Sequence, residues 1–140
     1  MMSVDSYLEH AKKQREFVRE HRYSPYFWGN STCDEILKNM DLSLLNLCKA
    51  VLLQNNIDFT GRADEEIITY VSSNSTYSRY IDSVKGYQSL WRHAARRRDR
   101  NSRNYHLACT AGALETFEDF IRSSYNNSPT HKCRIYRNWG

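Results

Sequence analysis

STCDEILKNMDLSLLNLCKAVLLQ, residues 31–54, decides the fold. Ile36, Met40, Leu44, Leu47, Cys48, Val51 and Leu52 recur three or four residues apart, with Leu37, Leu45 and Leu53 widening the same face. Side chains at that spacing share one side of a helix, whereas a strand would need alternation. No other stretch is as apolar, so it predicts the central helix of a bundle. Ser31 with Asp34, or Thr32 with Glu35, offers a capping box at its start. Asn55, Asn56 and Gly61 end it and form a connection.

Weaker versions of the same periodicity lie on both sides. Residues 4–21 predict a helix with a thin stripe of Leu8, Ala11, Phe17 and Val18, the wet side being filled by charged residues that include Glu9, Arg15 and Arg19. Tyr23–Gly29 (YSPYFWG) breaks the pattern with Pro25 and Gly29, and its aromatics predict a cover for one end of the core. Residues 62–72 predict a short helix through Ile67, Ile68 and Val71, with Asp64, Glu65 and Glu66 at the positive end of its dipole. From Tyr77 a longer helix runs through Tyr80, Ile81, Val84, Tyr87, Leu90, Trp91 and Ala94. A last one carries Leu107, Ala111, Leu114, Phe117 and Ile121, with Asp99 or Ser102 as its cap.

No segment alternates convincingly with period two, and two Pro and five Gly in 140 residues leave long elements uninterrupted. The expected architecture is all-α, a bundle of four to five helices. Residues 1–125 form the single domain and 126–140 a basic, aromatic tail. The opening MMSVDSYLEHAKK has no apolar signal core and no apolar run could cross a bilayer, which predicts a cytoplasmic protein with no membrane partner. The four cysteines lack knuckle or redox spacing and read as buried free thiols. No metal or other cofactor is expected. His131 and Cys133 are two ligands and not a site, while consecutive carboxylates at 64–66 point in different directions.

Charge is the second signal. Six of the 20 Lys and Arg, but only one of the 16 Asp and Glu, fall between Arg92 and Arg103, so this segment holds about +5 of a net +4 and the remainder about −1. A local patch of that kind calls for a polyanion. Arg92, Arg96, Arg97, Arg98, Arg100 and Arg103 supply guanidinium forks for phosphates, and Trp91 and Tyr105 at the flanks rings for base stacking. The segment resembles the arginine-rich peptides of phage antitermination proteins, which lay a basic helix against folded RNA. Cleavage is a further reading. Metal-free scission of RNA needs a base near neutral pH for the ribose 2′-hydroxyl and a permanent cation for charge growing on the phosphate. Arg100-Asn101-Ser102-Arg103-Asn104-Tyr105-His106 holds both. A third class, an interaction protein whose arginines dock an acidic partner, uses the same patch.

The stretch RN-SRNY-H, residues 100–106, resembles the HEPN motif, in which an Arg and a polar residue precede a His at the head of the last helix of an all-α bundle. Leu44–Phe59 (LLNLCKAVLLQNNIDF) is similar to the early HEPN helix in which Lys-Ala precedes leucines. The wider likeness spans residues 33–125. It implies a metal-independent endoribonuclease working as a homodimer, in which cleavage leaves a 2′,3′-cyclic phosphate. By that resemblance Arg100 stabilises the transition state, His106 is the base and Asn101 orients substrate or His106. Many HEPN proteins are toxins held by a cognate inhibitor protein or act in phage defence, and some only bind. The alternative is a non-catalytic RNA-binding helical protein.

Overall fold

The computed structural model describes residues 2–21 and 29–127. Those residues form five helices and no strand: α1 (Val4–Glu20), α2 (Asn30–Gln54), α3 (Asp64–Ser72), α4 (Ser75–Arg96) and α5 (Arg100–Asn127). The protein is an all-α helical bundle. Most of Tyr23–Gly29 and the tail from residue 128, with His131 and Cys133, lie outside the described residues. α5 runs two residues beyond the expected domain limit at 125.

α2 is the hub that its periodicity predicts. Ile36, Met40, Leu47, Cys48, Val51 and Leu52 are fully buried. α1 packs along α2 and α4 along α5, while α3 bridges α2 and α4. One cluster joins α1, α2, α3, α4 and the later half of α5 around Leu8, Leu47, Ile81 and Phe117. A smaller one, built from Val18, Ile36, Met40, Trp91, Leu107 and Ala111, supports the end where α4 turns into α5. Each fully buried Leu, Ile or Phe contributes about 1.5–3 kcal/mol relative to exposure, so this stripe outweighs any single cap.

Several local expectations are corrected. α2 starts at Asn30 behind Gly29, whose extended backbone (φ −69°, ψ 169°) makes it the cap without a side-chain bond, so neither capping box forms. Arg15, expected on the wet side of α1, is only 6% exposed because Glu118 of α5 meets it there. Glu118 also accepts from Arg122, while Arg19 reaches Glu115 at 2.5 Å, clasping α1 to α5 through charge. Tyr87 and Leu90, expected on the buried face of α4, are 38% and 48% exposed. The buried line of α4 passes through Tyr77, Ile81, Val84, Trp91 and Ala94, and Tyr80, Tyr87 and Leu90 sit on the neighbouring line.

α2 and α4 stop in the same way. After α2, the Asn56 amide donates to Leu53 O (3.0 Å) and the Ile57 amide to Leu52 O (2.9 Å), with Asn56 left-handed at φ 59°. After α4, the Arg98 amide donates to Ala95 O (3.3 Å) and the Asp99 amide to Ala94 O (3.1 Å), with Arg98 at φ 54°. Both are Schellman closures, in which a left-handed residue lets the last carbonyls find donors. Asn tolerates that backbone through its short polar side chain, but Arg gains nothing comparable.

Candidate nucleic-acid interface at the α4–α5 corner

The corner is built by its own charges. Asp99, the one acidic residue among the arginines, accepts the Ser102 amide at 3.1 Å and the Ser102 hydroxyl at 2.9 Å. These bonds, backed by Arg97 and the Asn101 amide, hold its carboxyl below the usual carboxylate range. Asp99 is therefore the cap of α5, as its position predicted, and its charge is spent on the helix start. Arg97 caps α4 and its guanidinium lies 3.3 Å from His93 Nε2.

Arg92, Arg96, Arg97, Arg98 and Arg100 are all exposed around this turn, as is Asn101. Tyr105 is 65% exposed, one turn along α5, whereas Trp91, the other expected stacking ring, is 2% exposed and packs in the smaller core cluster. Arg103 does not join them. It was grouped with the phosphate-facing arginines, yet it is 1% exposed, so its guanidinium does not meet solvent phosphate in this structure. It turns inward, donates from Nε and one terminal nitrogen to Asn104 Oδ1 at 3.2 Å each, and lies near Cys33 in the first turn of α2. Burial lowers its pKa and raises that of the Cys33 thiol.

His106 is half-buried. Its Nδ1 is covered and has no hydrogen-bond partner among the described residues, and its ring stands edge-on to Tyr105 with centroids 5.3 Å apart. Its backbone carbonyl accepts from Thr110 Oγ1 at 2.8 Å. Arg100 and His106 share α5, but six residues of helix place them about 120° apart around the axis and about 9 Å along it. Asn101 is about 140° from His106 by the same geometry. One copy of the helix therefore does not aim both side chains at one phosphate along a common line. The signal missed in the sequence was the left-handed Arg98, for which local residue types give no warning.

Among the described residues no group of His, Cys, Asp or Glu is arranged to hold a metal ion. None of the helices described is long and apolar enough to cross a membrane. Compared with protein-family models, with curated proteins and with solved structures, the chain finds no match in any of the three.

Proposed function

We propose that the α4–α5 corner binds RNA and that the chain cleaves it without a metal, Arg100 and His106 from two copies sharing the work. The observation that supports binding is the run of five exposed arginines from Arg92 to Arg100, across the end of α4 and the start of α5, in which the one carboxylate, Asp99, is consumed as a helix cap. Guanidiniums are permanent cations that grip phosphate oxygens in pairs.

Cleavage is the chemistry that the RN-SRNY-H resemblance adds. His106 takes the 2′-hydroxyl proton, and the freed oxygen attacks phosphorus. The 5′-oxygen leaves and is protonated, and a cyclic phosphate remains. Arg100 holds the charge gathering on the phosphate oxygens, and Asn101 positions the strand. Placement in a toxin or defence system with a cognate inhibitor, and a cytoplasmic setting, belong to the same reading. The angular separation of Arg100 and His106 within one copy favours the second reading, a protein that only binds RNA.

The purified protein is expected to cut RNA in EDTA and to leave cyclic-phosphate ends. His106→Ala should abolish cutting while leaving RNA affinity within about threefold. Binding without cutting by the parent protein selects the non-catalytic reading. Cutting by His106→Ala at the parent rate removes His106 from the chemistry. Failure to bind any RNA at low salt, with capture of an acidic protein instead, overturns both.

A further inference from the structure

Outside residues 92–103, Arg79 stands apart from the other described arginines. Arg15, Arg19, Arg62 and Arg122 each pair with a glutamate. Arg79 is exposed and pairs with no carboxylate among the described residues. Its guanidinium carbon lies 4.8 Å from the Tyr80 ring centroid, and Nη2 donates to the Tyr80 hydroxyl at 2.8 Å. Tyr80 is itself stacked on Phe117 and Phe120, with centroids 5.7 and 4.8 Å away. The core therefore fixes a cation that spends one donor on Tyr80 and keeps the others for an anion.

Arg79 is part of the wall of a groove of about 430 Å³ between α4 and α5. Tyr80, Ser83 and Tyr87 line it on one side, and Cys109, Gly112 and Thr116 on the other. No carboxylate lines it, although Asp82 and Asp119 are exposed close by in sequence. Cys109, expected as a buried thiol, is half-buried on this wall. A side chain at Gly112 would project into open space, since an added Cβ meets nothing within 4 Å. Tyr105, one turn before Cys109, lies against its thiol and near Tyr87, which carries the aromatic surface toward the corner. Arg97 comes 18 residues after Arg79, about five turns, so it stands at the same angle around α4 about 27 Å away. Two cations thus bracket the exposed rings of Tyr87 and Tyr105.

We propose that this groove is a subsite for single-stranded RNA. A strand gripped at the α4–α5 corner continues along it, with unpaired bases on Tyr105 and Tyr87 and a phosphate on Arg79. Cations and rings in one line match a strand that carries a phosphate and a flat base at every nucleotide. A duplex keeps its bases stacked on one another and offers the rings nothing. An acidic peptide satisfies Arg79 but sets its other carboxylates against rings and an uncharged wall. The inference rests on the RNA-binding half of the proposed function and is independent of cleavage.

Strand length is the first consequence. A short oligouridylate held by the corner alone keeps the corner's salt dependence. One long enough to reach Arg79 should gain about 0.7 in log–log slope, the share of one further phosphate contact. The bases are the second consequence. At that length an oligouridylate should bind at least about fivefold more tightly than an abasic strand carrying the same phosphates, because only the former can stack. Binding through the arginines alone would hold both strands equally.

Fluorescence anisotropy with these strands tests the subsite. Arg79→Ala should remove the slope that the longer strand gains. Tyr87→Ala should weaken the longer oligouridylate at least about fivefold and leave the abasic strand unchanged. Gly112→Leu should move two readouts in opposite directions. Leu forms helix far better than Gly, so Tm should rise, while the filled groove should weaken the longer strand by about tenfold. A parent protein that binds oligouridylate and abasic strand equally overturns the proposal. So do Arg79→Ala and Gly112→Leu proteins that bind the longer strand as the parent does; a loss in Arg98→Ala then keeps the corner as the RNA site. Absence of binding to any RNA at low salt overturns both readings. If these two variants weaken oligoglutamate binding and leave oligouridylate unaffected, the groove belongs to an acidic peptide. If Gly112→Leu dissolves a dimer with oligouridylate affinity unchanged, it belongs to a second copy. Either result overturns the proposal.

Discussion

Replacing Arg98 should raise stability and lower RNA affinity through separable causes. Arg98 closes α4 at φ 54°, a backbone that costs an ordinary L-residue roughly 1–2 kcal/mol. Glycine adopts it freely but loses more entropy on folding, which returns about 0.4–1 kcal/mol. The net expectation for Arg98→Gly is a gain of about 0.5–1 kcal/mol, or a Tm higher by about 2–4 °C. Arg98→Ala removes the same charge and keeps the strained backbone, so it should stay within about 0.3 kcal/mol of the parent. Both variants lose one phosphate partner, and each should flatten the salt dependence of RNA binding by about 0.7 in log–log slope. Urea melts and binding titrations across a salt series read the two effects independently. If Arg98→Gly and Arg98→Ala are equally stable, left-handed strain is not what Arg98 carries. If their salt slopes match that of the parent, Arg98 does not touch phosphate.

The full complement of five exposed arginines predicts a slope near −3.5 for single-stranded RNA, measured by fluorescence anisotropy from low to moderate salt. Arg103→Ala should leave that slope unchanged while costing about 2 kcal/mol in urea, because it empties a buried position and removes the partner of Asn104. Glu118→Ala leaves the buried Arg15 with only the longer 3.9 Å contact to Glu115 and should cost about 3 kcal/mol, whereas the double change Arg15→Met/Glu118→Leu should recover most of that loss. Arg19 holds the Glu115 carboxyl below its ordinary value, and a depressed carboxylate contributes stability that is present above its unfolded pKa and lost as pH falls. Urea midpoints should therefore decline below about pH 4.3, and Glu115→Gln should flatten that decline. The pair is half in solvent, so the effect should be small and salt-sensitive.

The helices were legible because the burial that makes them is periodic. The apolar line of α2 predicted in the sequence is the buried line observed, and so is that of α5 from Leu107 to Ile121. What local pattern did not show was burial created by a distant partner. Arg15 and Arg103 look like surface residues because arginine usually is one, yet Glu118 lies 103 residues from the first in sequence and Cys33 lies 70 residues from the second. Charge type predicts exposure only where no partner from another element arrives. Tyr87 and Leu90 failed in the opposite sense. Their spacing fits a helical stripe, but α4 carries two adjacent stripes, and spacing alone does not say which one meets the core.

The same ambiguity sharpens the reading of the α4–α5 corner. A motif written along a sequence suggests that Arg100 and His106 act as neighbours, and in a loop they could. Asp99, however, starts α5 immediately before Arg100, so the whole motif is helical and its members are fanned around the axis. A cap therefore decides the chemistry available to one chain: it turns a compact constellation into a basic edge at Arg100 and an imidazole about a third of a turn away. The proposed cleavage therefore draws the two groups from different copies of the helix, because within one copy they do not face one phosphate along a common line. If the protein stays monomeric at every concentration and does not cut RNA, the corner is a binding surface and the cleavage assignment loses its geometry.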